Sequence, residues 1–368
     1  MDSNNNTSSA MPKIIGVIVA ILVCCACVAI VAAGAIFYQT RQSAPEIFPT
    51  PVISTESVQT PVPVPTISHA PVDAVAADTV NVLNSSLVPE NDPYELACRL
   101  RSICNVSKTM PAPAKPFKVG DKQKFWLSNS DTSQNFQIDA TLMYITPHTY
   151  FWAQDGSDAK QSDFKSLMDT FENKIYPKDR EFFGSEWTPG VDNDPHLYIV
   201  YGGDIGSTIA GYFSSADEYN PQARKDSNGH EMFVINTSQN LGDNYTYAVL
   251  AHEFVHMIQW PADRNDVSWI DEGFAEVGAF LNGYDVGGAD QQYIQNPDLQ
   301  LNTWPSPDSP DFSAHYGDSF LFLTYFLDRY GEKATQALTS NPMNDLPSVD
   351  DTLKTLNITD QQTGKMVT

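Results

Sequence analysis

Positive charge is scarce in this chain of 368 residues. Lys and Arg number 21 against 45 Asp and Glu, which gives a formal net charge of -24 and a pI near 4.4. That balance excludes nucleic acid as the partner, because a phosphate backbone is held by clustered cations. It keeps a protein soluble and adds only a weak preference for cationic peptides. Cysteine is scarce too: five in all, and none after Cys104. A structural zinc site usually fills its four positions with Cys and His, so most of the chain lacks the ligands for one. Cys24, Cys25 and Cys27 lie in an apolar run, while Cys98 and Cys104 stand close together. The residues between those two allow a small disulfide loop in an oxidising compartment, and equally allow two ordinary buried thiols.

Charge is absent altogether from Ile14 to Phe37. As a helix that run is about 36 Å long, enough to cross a bilayer core. It reads as an uncleaved transmembrane anchor over residues 14–38, behind a short polar tail at 1–13. Ala33-Gly34-Ala35 resembles a signal-peptide cleavage site, which keeps processing open as the alternative. Lys13 and Arg41 flank the run and do not orient it. Residues 39–92 are dominated by Pro, Ser, Thr and Val, a composition that favours an extended spacer over a packed core. The expected location is the cell membrane, single-pass, with the domain at 93–368 extracellular. The last residues, Q-Q-T-G-K-M-V-T, have no obvious finish, so that domain is expected to be C-terminally shortened.

Inside 93–368 the patterns are mixed. Tyr94–Ile103 reads as a short amphipathic helix. Lys122–Leu127, Phe136–Ile145, Tyr150–Trp152, His196–Tyr201 and Glu231–Ile235 read as strands. Ser162–Tyr176 carries Phe164, Leu167, Met168, Phe171 and Ile175 at helical spacing and is expected to end at Pro177. The stretch between the last two strands reads as a long surface loop. Asp192, Asp194 and Asp204 are explained by turn chemistry more cheaply than by calcium. His148, His196 and His230 read as structural histidines, and His69 has no partners. Helices dominate after residue 244.

One stretch organises the rest. Tyr245–Trp260 contains His252-Glu253-Phe254-Val255-His256, the H-E-x-x-H pattern, in a helical context stopped by Pro261, with Asp243 or Asn244 to cap its start. A helix puts His252 and His256 one turn apart on one face, where two imidazoles can bind one Zn2+. Glu253 edges that face and can reach a water as general base without ligating the metal. A catalytic zinc needs a third protein ligand. Downstream, Ser268–Tyr284 reads as a second helix with Glu272 and Glu276 one turn apart. One of these carboxylates can complete the shell, and the other can hydrogen-bond a ligating imidazole.

H-E-F-V-H followed by W-I-D-E-G-F-A-E resembles the gluzincin metallopeptidases, the group that includes thermolysin and the aminopeptidase N family. The resemblance implies that Glu272 is the third ligand and Glu276 the partner behind an imidazole. Two departures are visible: the spacing from His256 to Glu272 is shorter than in those families, and Asp271 stands where asparagine is usual. S-A-H-Y-G-D-S-F-L-F-L-T-Y-F-L-D-R-Y-G, residues 313–331, is similar to the aminopeptidase N segment in which a tyrosine opens a helix and steadies the oxyanion; that tyrosine matches Tyr316, with His315 as its neighbouring rival. F-F-G-S-E-W-T-P-G-V-D and G-Y-F-S-S-A-D-E-Y also resemble a group of bacterial membrane-anchored chains of peptidase type. The resulting expectation is an α+β, zincin-like fold, a twisted sheet plus a helical lower half with the active-site helix between them. The expected activity is zinc-dependent hydrolysis of peptide or protein substrates, with Glu231–Ile235 as the edge strand that pairs with them and a lipid bilayer as the second partner. The alternative is an inactive peptidase-like domain acting as a tethered binding protein.

Overall fold

The structure, a computed structural model, describes residues 74–85, 91–285, 287–307 and 309–359. The tail 1–13, the apolar run 14–38, most of the linker and the last residues from 360 lie outside the described residues. Among the described residues no helix is long and apolar enough to cross a membrane. The chain divides into two units, residues 1–87 and 88–368. In the first, helix α1 (Ala74–Ser85) occupies part of the stretch read as extended spacer. Proline, which interrupts a helix, is absent from Val72 to Val88.

The second unit opens with α2 (Pro93–Arg101). Asp92 caps it by accepting from the Tyr94 N–H at 2.8 Å, and Pro93 sits in the first turn, where its missing N–H is not needed. Cys98 of this helix is bonded to Cys104, so the loop is the reading realised. There follow β1 (Lys122–Asn129), β2 (Gln134–Ile145), β3 (Thr149–Gln154), α3 (Gln161–Thr170) and α4 (Tyr176–Phe183). Next come β4 (Leu197–Gly202), β5 (Gly211–Phe213), a 3-10 turn (Ser215–Glu218) and β6 (Met232–Asn236). The helical half is α5 (Asn244–Ala262), α6 (Ser268–Leu281), α7 (Ala289–Gln295), α8 (Phe312–Tyr330), α9 (Glu332–Leu338) and α10 (Leu346–Thr355).

The strands form one six-stranded sheet in the order β1-β2-β3-β4-β6-β5. β1 to β3 make an antiparallel meander, β3, β4 and β6 run parallel, and β5 returns antiparallel to β6 at the edge. The period of two sorts the strand residues onto two faces. Phe151, Ile199, Tyr201, Phe233 and Ile235 face a core shared with α3, α5 and α6. Tyr150, Trp152, Tyr198, Val200 and Val234 face the other, closed by Phe125 and Leu142. Covered on both sides, β4 and β6 read as unbroken apolar runs, as central parallel strands do.

Three expectations are corrected. Glu231–Ile235 is not an edge: β6 lies between β4 and β5, and its apolar run reflects burial on both faces. The edge is β5, three residues inside the stretch read as a loop, too short to show a period of its own. Pro177 does not end the helix begun at Gln161. A π-helical turn over Phe171–Ile175 widens the backbone ahead of it, and α4 continues with Pro177 in its first turn.

Candidate metal centre

α5 packs against β5 and β6 on one side and α6 on the other, and α6 packs against α8. Two glycines let these helices approach. A Cβ at Gly278 would lie 2.4 Å from Val255 of α5, and one at Gly273 would lie 2.7 Å from Leu323 of α8. Larger residues there would push α6 outward and carry Glu272 with it.

Helical spacing places the two histidines on one face, with their Nε2 atoms 3.1 Å apart. Glu272 reaches across from α6, its Oε2 3.2 Å from His252 Nε2 and 3.4 Å from His256 Nε2. Among the described residues this is the set whose His, Cys, Asp or Glu donor atoms close to within 4.8 Å of one another. A tetrahedral shell with bonds of about 2.0–2.1 Å sets neighbouring donors about 3.3 Å apart, so the triangle suits one small cation. Glu272 Oε2 is also buried and has no hydrogen-bond partner, as fits an atom reserved for a metal. The residues present fit the group that the motif implies.

The remaining expected residues surround this triangle. Glu276 Oε1 lies 3.5 Å from His252 Nδ1, the nitrogen pointing away from Glu272, where a carboxylate fixes the ring and its tautomer. Glu253 turns the other way and accepts the Phe213 N–H of β5 at Oε2, 2.7 Å. Tyr316 stands in the second turn of α8, not at its start, with its ring 6.4 Å from that of His252 and 5.1 Å from Trp304. His315 is buried against Trp304 with Nδ1 unpartnered. Tyr316 is subject to the fields of Glu272, Glu253 and Glu276.

Burial opposes charge on every one of these groups, and their partners decide the outcome. It raises the Glu272 pKa, but the two imidazoles outweigh it and hold the carboxyl well below its usual range. It lowers the pKa of both histidines, but Glu272, joined by Glu276 at His252, leaves each above the ordinary value. Glu253 ends higher than normal because burial exceeds the pull of His252 and His256. Asp271 is pushed up to about 6, again by burial first. Tyr316 rises through burial and then the three surrounding glutamates.

The other histidines hold carboxylates away from this centre, as their structural reading requires. His148 pairs with Glu172, His196 with Asp194 and His230 with Asp192. Asp192 and Asp194 also accept backbone N–H groups two residues on, which is turn chemistry. The Phe213 N–H is the functional group that sequence reasoning missed. A backbone donor leaves no letter, and the signal was limited to G-Y-F between turn residues.

No family model matches the chain. It is similar to the neutral metalloprotease ShpI of Staphylococcus hyicus, 27% identical over 266 residues, which cover 62% of this chain and 56% of that protein. The chain thus spans little more than half the length of that curated relative. The likeness supports a metallopeptidase relationship, and the single sheet with its helical half fits a zincin-like arrangement.

Proposed function

We propose that this chain is a zinc-dependent peptidase of gluzincin type, held in a membrane by residues 14–38 on a spacer, with domain 93–368 outside the cell. The observation that carries the catalytic reading is the convergence of His252 Nε2, His256 Nε2 and Glu272 Oε2 on one point. The Cys98–Cys104 bond supports an oxidising compartment. Likeness to a metalloprotease supports peptide or protein substrates and a metal cofactor.

Zinc held by His252, His256 and Glu272 would supply a Lewis acid that acidifies a water and polarises the scissile carbonyl. Glu253 takes the proton of the attacking water and delivers it to the leaving amine nitrogen as the C–N bond breaks. The Phe213 N–H pins Glu253 Oε2, which leaves Oε1 for that proton. A carboxyl above its usual range is better matched to proton transfer near neutral pH than an ordinary glutamate. The Tyr316 hydroxyl, kept protonated by its surroundings, donates to the developing alkoxide. Glu276 orients His252. The outer edge of β5, apart from the Phe213 N–H already given to Glu253, pairs with an extended substrate.

A tethered binding protein would have no use for a buried glutamate beside the triangle. The two readings separate on Glu253→Gln in the full chain. Peptide cleavage should fall by about 10^2–10^4-fold while zinc content stays at that of the parent. Cleavage of a peptide library at the parental rate would end the proposal.

A further inference from the structure

Peptide hydrolysis leaves unused F-F-G-S-E-W-T-P-G-V-D (182–192) and, beyond β5, S-S-A-D-E-Y (214–219). They supply Glu186 and Glu218; the His230 N–H donates to the Asp217 carbonyl at 2.9 Å, which sets residue 218 beside Glu231, the residue before β6. These side chains belong to residues only 3, 3 and 1% exposed, respectively. Glu186 is satisfied. Arg180 Nε lies 3.3 Å from its Oε2, and Tyr176 donates to its Oε1 at 3.0 Å. Glu231 is half satisfied, because Oε1 accepts the Val191 N–H at 2.8 Å while Oε2 has no partner. Glu218 has no partner on either oxygen. The backbone makes room for this: a Cβ on Gly190 would come within 1.7 Å of Glu231 Oε2. Arg264 acts on Glu218 only through space, with its guanidinium over the Trp260 ring.

Three unpartnered oxygens on two buried carboxyls cost several kcal/mol unless something positive sits between them. Their neighbours already have partners: Glu186 is paired with Arg180 and Asp192 with His230, and Asp217 accepts hydrogen bonds from Asn228. Glu218 and Glu231 are left with open oxygens. We propose that Glu218 and Glu231 bind a hard divalent cation of the calcium class, at a site separate from His252, His256 and Glu272. Carboxylate-only side-chain donors select calcium over zinc. No three of these acids bring donor atoms within 4.8 Å of one another as the histidine site does. The site therefore contributes two carboxylates, and backbone carbonyls and water complete the roughly six to eight oxygens that calcium takes. Glu218 ends the 3-10 turn that directly follows β5, so the bound cation also braces the strand whose Phe213 N–H holds Glu253.

The test uses the full chain, stripped of metal and reloaded with zinc alone or with zinc and CaCl2. Metal analysis should find about one calcium besides the zinc, and CaCl2 at a hundredfold excess over Kd should raise the thermal midpoint by roughly 5 °C. Glu218→Gln and Glu231→Gln should each lose the calcium and the shift while retaining zinc. If both variants fail to fold, titration of the parent decides alone. The proposal is overturned if the parent retains no second metal and its midpoint ignores calcium, magnesium and manganese. The same holds if Glu218→Gln responds to CaCl2 as the parent does.

Discussion

Two groups of buried glutamates flank the same edge strand, and they differ in what faces them. Glu272 is met by two imidazoles within 3.4 Å, and its carboxyl is held far below the ordinary range. Glu218 and Glu231 are buried more completely, meet no imidazole or guanidinium within hydrogen-bonding distance, and move the other way, Glu231 up to about 8. Burial raises all three, so the sign is set by the partner. The difference teaches how to read an acid in this fold. Where cationic partners are built in, the site is arranged for a metal that also takes nitrogen. Where only oxygen is present, the charge awaits a harder ion.

The comparison breaks most visibly on the histidine side. Glu272→Gln removes the charge that balances the imidazole pair and, on the proposed function, would weaken one of three metal bonds. Peptide cleavage should fall by about 10^3-fold or more, and zinc should be lost to mild chelation, read together as rate and metal content. Zinc retention with parental cleavage would mean that this carboxylate is not a ligand. Next in size is Tyr316→Phe, which deletes one hydroxyl from a position governed by the same three glutamates. A donor used only as negative charge develops should cost about 10^2–10^3-fold in kcat and leave KM nearly unchanged. A rise in KM alone would make Tyr316 a binding residue. The calcium shift of Glu218 and Glu231 follows in magnitude and tests the other side.

How much of this was legible in the sequence follows the same division. H-E-F-V-H and D-E-G-F-A-E each lie within one helix, so a fixed periodicity turns letters into a face; that periodicity offers Glu272 and Glu276 alike, and the resemblance to the gluzincins is what singles out Glu272. The alternating run of β2 and the apolar runs of β4 and β6 likewise announced strands. What failed was relational. Local pattern says nothing about which strand lies beside β6, and three residues of β5 are too few to carry a period. Glu186, Glu218 and Glu231 come from separate loops, and each looks like ordinary surface acid until the chain closes around them. Pro177 reads as a stop because a π-helical turn has no letter of its own.

A third buried acid sharpens the rule at its smallest scale. Asp179 of α4 is 0% exposed, and it meets neither a base nor another acid but an amide. Asn282 Nδ2 donates to its Oδ1 at 2.6 Å, while Asp179 Oδ2 and Asn282 Oδ1 both lack partners. A protonated carboxyl satisfies both by donating from Oδ2 to Asn282 Oδ1, and burial accordingly raises this pKa well above normal. The folded chain thus holds the proton more tightly than the unfolded one. Its contribution to stability is full below about pH 4, the unfolded value, and is lost as pH rises toward the folded pKa. Asp179→Asn carries a permanent donor in place of that proton and has no such dependence. Because every other titrating group is common to both proteins, the difference between their stabilities isolates this one. In denaturant melts it should favour the variant increasingly from pH 5 to pH 8. A difference that is flat across that range would show that Asp179 is ionised in the fold, with charge buried against nothing but an amide.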